Sequence, residues 1–288
     1  MSIFEKISTY LAQAILLEVA AYPKPGLVTR HFNGAHMDMS LITFAMSSVI
    51  TSQAFRRMEI IGKTHKGTEK ELFQAVRVIG IEMEEELLRT TKGVNTQRGI
   101  LFVGGIVAAA AGFLSNKIHA DVECIYEVVQ KMTTGLVKSE LGALDNKEVN
   151  TAGERLFQKY HITGIRGEVE NGLHCVRKVG VPALEFAFAH NISINDALVH
   201  ALISLMTCVE DSNVIWRTNY ETLKTVQKKA KEILDKGSIF TSVGREAIEY
   251  FDHECIEKRI SPGGAADLLS ISIALYLLKN KEFPCNII

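Results

Sequence analysis

Residues 23–38 place Lys24, Arg30, His31, His36 and Asp38 on one segment stiffened by Pro23, Pro25 and Gly26. A plain turn accounts for the prolines and the glycine, because proline fixes φ and glycine opens the left-handed region. It does not account for two cations, two histidines and an acid beside a helix start. Cations on a rigid loop with free backbone N–H groups suit a polyphosphate. In Gly93-Val94-Asn95-Thr96-Gln97-Arg98-Gly99, Asn95 or Thr96 serves as a helix cap, and Arg98 with the first helical amides would face an anion.

Three later segments extend the set. Residues 164–172 read as a loop that alternates Arg166 with Glu168 and Glu170 among glycines. Exposed ion pairs contribute at most about 1 kcal/mol, so stability is a poor reason for that arrangement. Glu210-Asp211-Ser212-Asn213 reads as the end of an apolar helix and is followed by Arg217. Acids at a helix C-terminus oppose the macrodipole, and a bound cation or an arginine would remove the conflict. Asp211 is therefore the leading metal-ligand or catalytic candidate. Ser261-Pro262-Gly263-Gly264 reads as a cap, a proline at the first helical position and two residues that leave amides open to a phosphate. Asp267 follows within the first turns, where a negative charge is favourable.

Other patterns carry less. Gly62-Lys63-Thr64 imitates the end of a P-loop, but Arg57 stands where its first glycine belongs and no strand precedes it. His65, His119, His161, His174, His190, His200 and His253 lack paired ligand spacing. Five scattered cysteines, Cys285 among them, form no C-x-x-C pair and point to neither a disulfide framework nor a zinc site.

The elements that must carry these segments are helical. Ile3, Ile7, Leu11, Ala14 and Ile15 make one apolar stripe ending near Glu18, and the second helix is expected from after Asp38 to about Ile61. Thr68-Glu69-Lys70-Glu71 is a capping box opening a third helix to about Leu88. The Gly- and Ala-rich run 100–114 is too short for a membrane span and suits a buried helix with close neighbours. Further helices are expected near 120–134, 151–160, 183–190, 194–209, 219–235, 241–257 and 264–279. Strand signals are nearly absent, and no repeat or polar linker divides the 288 residues. The expected fold is all-α, a single-domain multi-helix bundle over 1–288 with active-site loops between helices. With 47% hydrophobic and 23% charged residues, disorder is excluded as the main state, and a net charge of −1 argues against general nucleic-acid binding. The N-terminus reads as an amphipathic helix rather than a signal peptide, so a cytoplasmic protein without a membrane segment is expected.

Taken together and in order, these runs resemble the triphosphoribosyl-dephospho-coenzyme A synthase family. They are Glu18 with Pro23-Lys24-Pro25-Gly26-Leu27-Val28, Gly34-Ala35-His36-Met37-Asp38-Met39, Gly93-Val94-Asn95-Thr96, Arg166-Gly167-Glu168, Asp211-Ser212-Asn213 with Arg217, and Ser261-Pro262-Gly263-Gly264 with Ala266-Asp267-Leu268-Leu269. The chain departs from the family's usual residues at Gln97-Arg98, at Ser212, at Thr218-Asn219 and at Ala265.

The resemblance implies an all-helical enzyme that takes ATP and 3′-dephospho-coenzyme A. It releases adenine and joins the triphosphoribosyl group to the acceptor's 2′-hydroxyl. The product is a prosthetic-group precursor for the carrier subunit of citrate lyase, or of malonate decarboxylase, and passes to a carrier-protein-modifying transferase. Inversion from a β-nucleotide to an α-glycoside fits a single displacement with positive charge at the anomeric carbon. On this reading Lys24, Arg30, Arg98, Arg166 and Arg217 hold phosphates, with Gly26, His36, Asn95, Asn213, Ser261, Gly263, Gly264 and Asp267 around the substrates. Asp38, Glu168 and Asp211 are the catalytic candidates, and Asp38 and Asp211 the Mg²⁺ ligands. Competing readings are a phosphoryl or adenylyl transferase, which would yield ADP or AMP, and a helical adaptor that binds without turnover. A homodimer is the default oligomer.

Overall fold

The structure, a computed structural model, describes residues 3–117, 120–142 and 152–284. His119, Cys285 and the first residue of the helix expected over 151–160 lie outside the described residues. Every regular element among the described residues is helical. A short 3₁₀ turn, Ile3–Lys6, leads into α1 (Ile7–Ala20), followed by α2 (Leu41–Thr64), α3 (Glu69–Thr90) and α4 (Arg98–Leu114). Then come α5 (Glu123–Thr133), α6 (Leu136–Glu140), α7 (Ala152–Tyr160) and α8 (Gly164–Glu170). A π-helical turn, Val176–Gly180, runs into α9 (Val181–Ala189), and α10 (Ile194–Met206), α11 (Ser212–Arg217), α12 (Tyr220–Asp235), α13 (Ser242–Glu257) and α14 (Gly263–Asn280) complete the chain.

Local chemistry starts α3 where expected. Glu71 N donates to Thr68 Oγ1 at 3.3 Å and Thr68 N donates to Glu71 Oε2 at 2.7 Å, a reciprocal box that satisfies two otherwise orphaned donors. α4 and α14 are buried almost all round, as helices without a polar face must be. The small residues of α4 let α2 come close. A Cβ at Gly62 would stand 2.1 Å from the Ala109 carbonyl oxygen, and one at Gly112 would stand 2.1 Å from that of Glu59. One contiguous core of buried side chains extends from Phe4 to Leu278.

Two segments expected as loops are helices: 164–170 forms α8 and 212–217 forms α11. The second difference changes the electrostatics of Asp211. α10 stops at Met206, because Thr207 N and Cys208 N turn back to the Ser204 and Leu205 carbonyls. Asp211 is thus not at the C-terminus of that helix but at the N-cap of α11, where its charge favours the helix.

Candidate active site

A cavity of about 330 Å³ lies where α1, α4, α8, α11 and α14 meet. Each of the five segments singled out in the sequence supplies lining residues: His36 from the first loop, Asn95 and Arg98, Glu168, Asn213 and Arg217, then Ser261, Gly263, Gly264 and Asp267. Gln97 fixes the entry to α4. Its Oε1 accepts from Ser47 Oγ at 2.8 Å and Thr51 Oγ1 at 3.1 Å, and its Nε2 donates to Ser48 Oγ at 3.2 Å, tying the turn to α2. Arg98 N reaches Asn95 Oδ1 at 3.4 Å, but the N-cap position of α4 falls on Gln97, without a side-chain cap, rather than on Asn95 or Thr96.

The first turn of α14 is held from below by Asp211. Oδ1 accepts from Asn213 N at 3.0 Å and Val214 N at 3.3 Å, while Oδ2 accepts from Ala265 N at 2.9 Å. Burial raises the Asp211 pKa and these backbone N–H groups oppose the rise. The glycines are explained by the same contact: a Cβ at Gly264 would stand 3.1 Å from the Asp211 carboxyl, and one at Gly263 would stand 2.8 Å from Asn213 Nδ2. The Ala265 amide of this turn is therefore engaged by a protein carboxylate rather than open to phosphate.

Ser261 does not cap α14; the N-cap position falls on Pro262, without a side-chain hydrogen bond. Its Oγ instead lies 2.8 Å from His36 Nε2. Only 6% of the His36 side chain is exposed, and Asp38 Oδ1 lies 3.8 Å from His36 Nδ1. Burial first, then the positive charge of Arg217, push the His36 pKa down to about 4, with Asp38 opposing.

The cations divide into two groups. Arg98 and Arg217 line the cavity, Arg98 in an ion pair with Glu84 at its edge. Lys24, Arg30 and Arg166 do not line it. Lys24 is 1% exposed and paired with Glu18, so the acid and not the lysine faces the cavity. Arg30 donates to the Ala20 carbonyl at 2.9 Å and to Asn195 Oδ1 at 3.0 Å, fastening its loop to α10. Arg166 pairs with Glu140 at 2.6 Å. Gly26 is also structural: its φ is +69°, its N–H donates to Asp252 at 2.9 Å, and a Cβ there would stand 2.0 Å from the Ile260 carbonyl oxygen.

Carboxyls gather behind the cavity. Asp267 rests on Gly99, where a Cβ would stand 1.9 Å from Oδ2. Burial, then the charges of Asp211 and Glu18, hold its carboxyl well above the usual range. Glu168 lines the wall and accepts from Cys175 N at 2.7 Å and Val176 N at 3.3 Å; burial raises its pKa against those bonds. The pair expected to share Mg²⁺ does not fit one ion. Asp38 is 55% exposed on its loop, and both Asp211 oxygens already accept backbone N–H groups. Among the described residues no three acidic, histidine or cysteine side chains cluster as a metal site.

Glu18, Thr96, Cys175 and Cys208 also line the cavity and were not singled out as site residues. For Glu18 the signal was present, a carboxylate within the apolar stripe of the first helix. Thr96 stood in the run Gly93-Val94-Asn95-Thr96 only as a candidate cap, and the cysteines have no equivalent signal.

The regular elements among the described residues are all helical, and their cavity is lined by two arginines and by the carboxyls of Glu18, Glu168 and Asp267. The profile of the ATP:dephospho-CoA triphosphoribosyl transferase family matches residues 4–284, and the chain belongs to that family, a family of transferases. It is 44% identical over 285 residues to a probable 2-(5''-triphosphoribosyl)-3'-dephosphocoenzyme-A synthase of Malonomonas rubra, covering 98% of this chain and 90% of the relative. The synthase of that name from Klebsiella pneumoniae is 33% identical over 270 residues, covering 93% and 89%. A probable synthase of Vibrio cholerae is 37% identical over 267 residues, covering 92% and 85%. No solved structure matches the chain. No helix among the described residues is long and apolar enough to cross a membrane.

Proposed function

We propose that the chain moves the triphosphoribosyl group of ATP onto the 2′-hydroxyl of 3′-dephospho-CoA and releases adenine. The observation that carries this reading is the charge gathered on one cavity: Arg98, Arg217, Glu18 and Asp267 line it, with Lys24 paired to Glu18. Arginines grip a triphosphate that must stay attached to the ribose. A carboxyl cluster suits the cation that forms at the anomeric carbon when the purine leaves. Burial, reinforced by the charges of Asp211 and Glu18, favours a proton on Asp267. Giving that proton to the purine leaves a carboxylate beside the forming cation. Asp211 acts in this scheme by holding α11 and α14 together, and Glu168 by shaping the wall.

Mg²⁺ belongs to the same proposal as a counter-ion carried in on the triphosphate, keeping its waters, rather than as an ion caged by Asp38 and Asp211. The product would pass to a transferase that modifies a carrier protein of citrate lyase, or of malonate decarboxylase. The chain would act as a homodimer in the cytoplasm. The test is chromatography after incubation with ATP, 3′-dephospho-CoA and Mg²⁺. Free adenine with a coenzyme product heavier by a triphosphoribosyl group is expected; ADP or AMP in its place would overturn the reading.

A further inference from the structure

Among the described residues, Glu18, Glu168, Glu210 and Asp267 bring carboxyls to the cavity wall. Their hydrogen bonds separate them. Glu168 accepts the backbone N–H groups of Cys175 and Val176, which fasten it to the wall. Glu210 accepts from Thr163 N and from Thr163 Oγ1, each at 3.2 Å. Glu18 is held differently. Lys24 is the one donor to its carboxylate among the described residues, and that bond goes to Oε1. The side chain is 8% exposed, and the residue lines the cavity. Oε2 is not one of the sealed, unpaired polar atoms, which are His36 Nδ1 and Thr96 Oγ1. It therefore opens on the cavity with lone pairs to spare.

Position picks out the same residue. The carboxylates close enough to Asp267 to act on its charge are Asp211 and Glu18. Both oxygens of Asp211 are filled by backbone N–H groups. Glu18 is thus the carboxylate beside the proposed acid that can still accept a proton. A displacement with inversion needs such a pair: one carboxyl protonates the leaving group and one carboxylate deprotonates the incoming hydroxyl. Glu18 sits in the last turn of α1, and Ile15, three residues earlier on the same helix face, lines the cavity with it. Lys24 is 1% exposed and does not line the cavity, so the acceptor meets the acid of this pair and not the cation.

We propose that Glu18 is the general base of the transfer, taking the acceptor's 2′-hydroxyl proton at Oε2. This rests on the reading of the reaction given above. The acceptor oxygen bonds to the anomeric carbon as the bond from that carbon to the purine nitrogen breaks. The bonding pair leaves with the purine, which takes the Asp267 proton, and the hydroxyl proton passes to Glu18. Exchange with water then returns both carboxyls to their starting states, so no further reagent is needed.

Glu18→Gln keeps an acceptor for Lys24 and removes the proton-accepting oxygen. It is expected to lower kcat for adenine release by about 10²–10⁴, with KM for ATP changed less than about three-fold. The single variant leaves a buried ammonium without its counter-charge. Glu18→Gln/Lys24→Met removes both charges and tests the proposal even if the single variant fails to fold.

Azide separates a base from a carboxylate that only supports the fold or the forming cation. It is a nucleophile with no proton to lose. Sodium azide in place of the acceptor is expected to raise adenine release by either variant about ten-fold or more, with a 1-azido ribose triphosphate of α configuration as the product. A variant kcat within about three-fold of wild type, or azide that restores nothing, overturns the base assignment while leaving the reaction intact. Wild-type protein that releases no adenine with both substrates overturns the reaction itself.

Discussion

Asp211 Oδ2 accepts the backbone N–H of Ala265 at 2.9 Å, across 54 positions of the sequence. One carboxylate thereby caps α11 through Oδ1 and secures the first turn of α14 through Oδ2. Asp211→Asn puts an NH₂ where one of these acceptors stood, leaving a buried backbone donor unpaired. The expected loss is about 1–3 kcal/mol, the cost of one buried unsatisfied donor, because the remaining amide oxygen still caps α11. Urea unfolding checks it. An unchanged midpoint would return Asp211 to the role of a charge kept at the expense of stability.

That expectation reverses the sign drawn from Asp211 as a helix-terminal acid, and the reason is physical. The apolar run towards Val209 carries a helical pattern past the point where α10 ends at Met206. Helices of six and seven residues, α11 and α8, are too short to show an apolar repeat. Long elements were legible because periodicity and the Thr68 capping box both mark them. That all five polar segments reach one cavity is seen in the structure and was not dictated by the helices, since the two ends of a helix as long as α2 lie far apart. Partner choice was not legible either. Nothing in the sequence distinguishes Lys24, which turns to Glu18, from Arg217, which lines the cavity.

Lys24→Met tests that division. Removing the ammonium strands Glu18 as a buried, unpaired carboxylate, and breaking such a pair costs about 3–5 kcal/mol. The double change with Glu18→Gln is expected to restore much of the stability without restoring adenine release, because Glu18 faces the cavity. A stable single variant that merely binds ATP weakly would instead make Lys24 a phosphate ligand.

Asp267 gives stability a pH dependence of known sign. Its carboxyl in the fold titrates well above the 3.8 of an unperturbed aspartate. Between those two values the folded chain holds a proton that the unfolded chain has lost, so stability falls as pH rises through the folded pKa. Asp267→Asn has no proton to lose and keeps an acceptor. Its urea midpoint is expected above that of wild type at pH 8, with the gap closing towards pH 4, while adenine release is lost. A gap that widens on acidification would mean the carboxylate is held ionised.

Arg217 connects substrate binding to the state of His36. Its guanidinium lines the cavity and lowers the histidine's pKa. Arg217→Gln is therefore expected to do two things at once. It removes charge-assisted bonds worth about 1.5–3 kcal/mol, weakening inorganic tripolyphosphate binding by roughly 10–100-fold. It also lifts the His36 titration above about 4, which the ring proton resonances report directly. The same shift has a stability consequence. An unfolded histidine titrates near 6.5 and the folded one near 4, so between these values the unfolded chain binds more protons and stability falls with acidification. Raising the folded pKa narrows that window. The variant should accordingly lose less stability than wild type between pH 7 and pH 4.5. Weakened tripolyphosphate binding with an unmoved His36 titration would place Arg217 on the phosphate but away from the histidine.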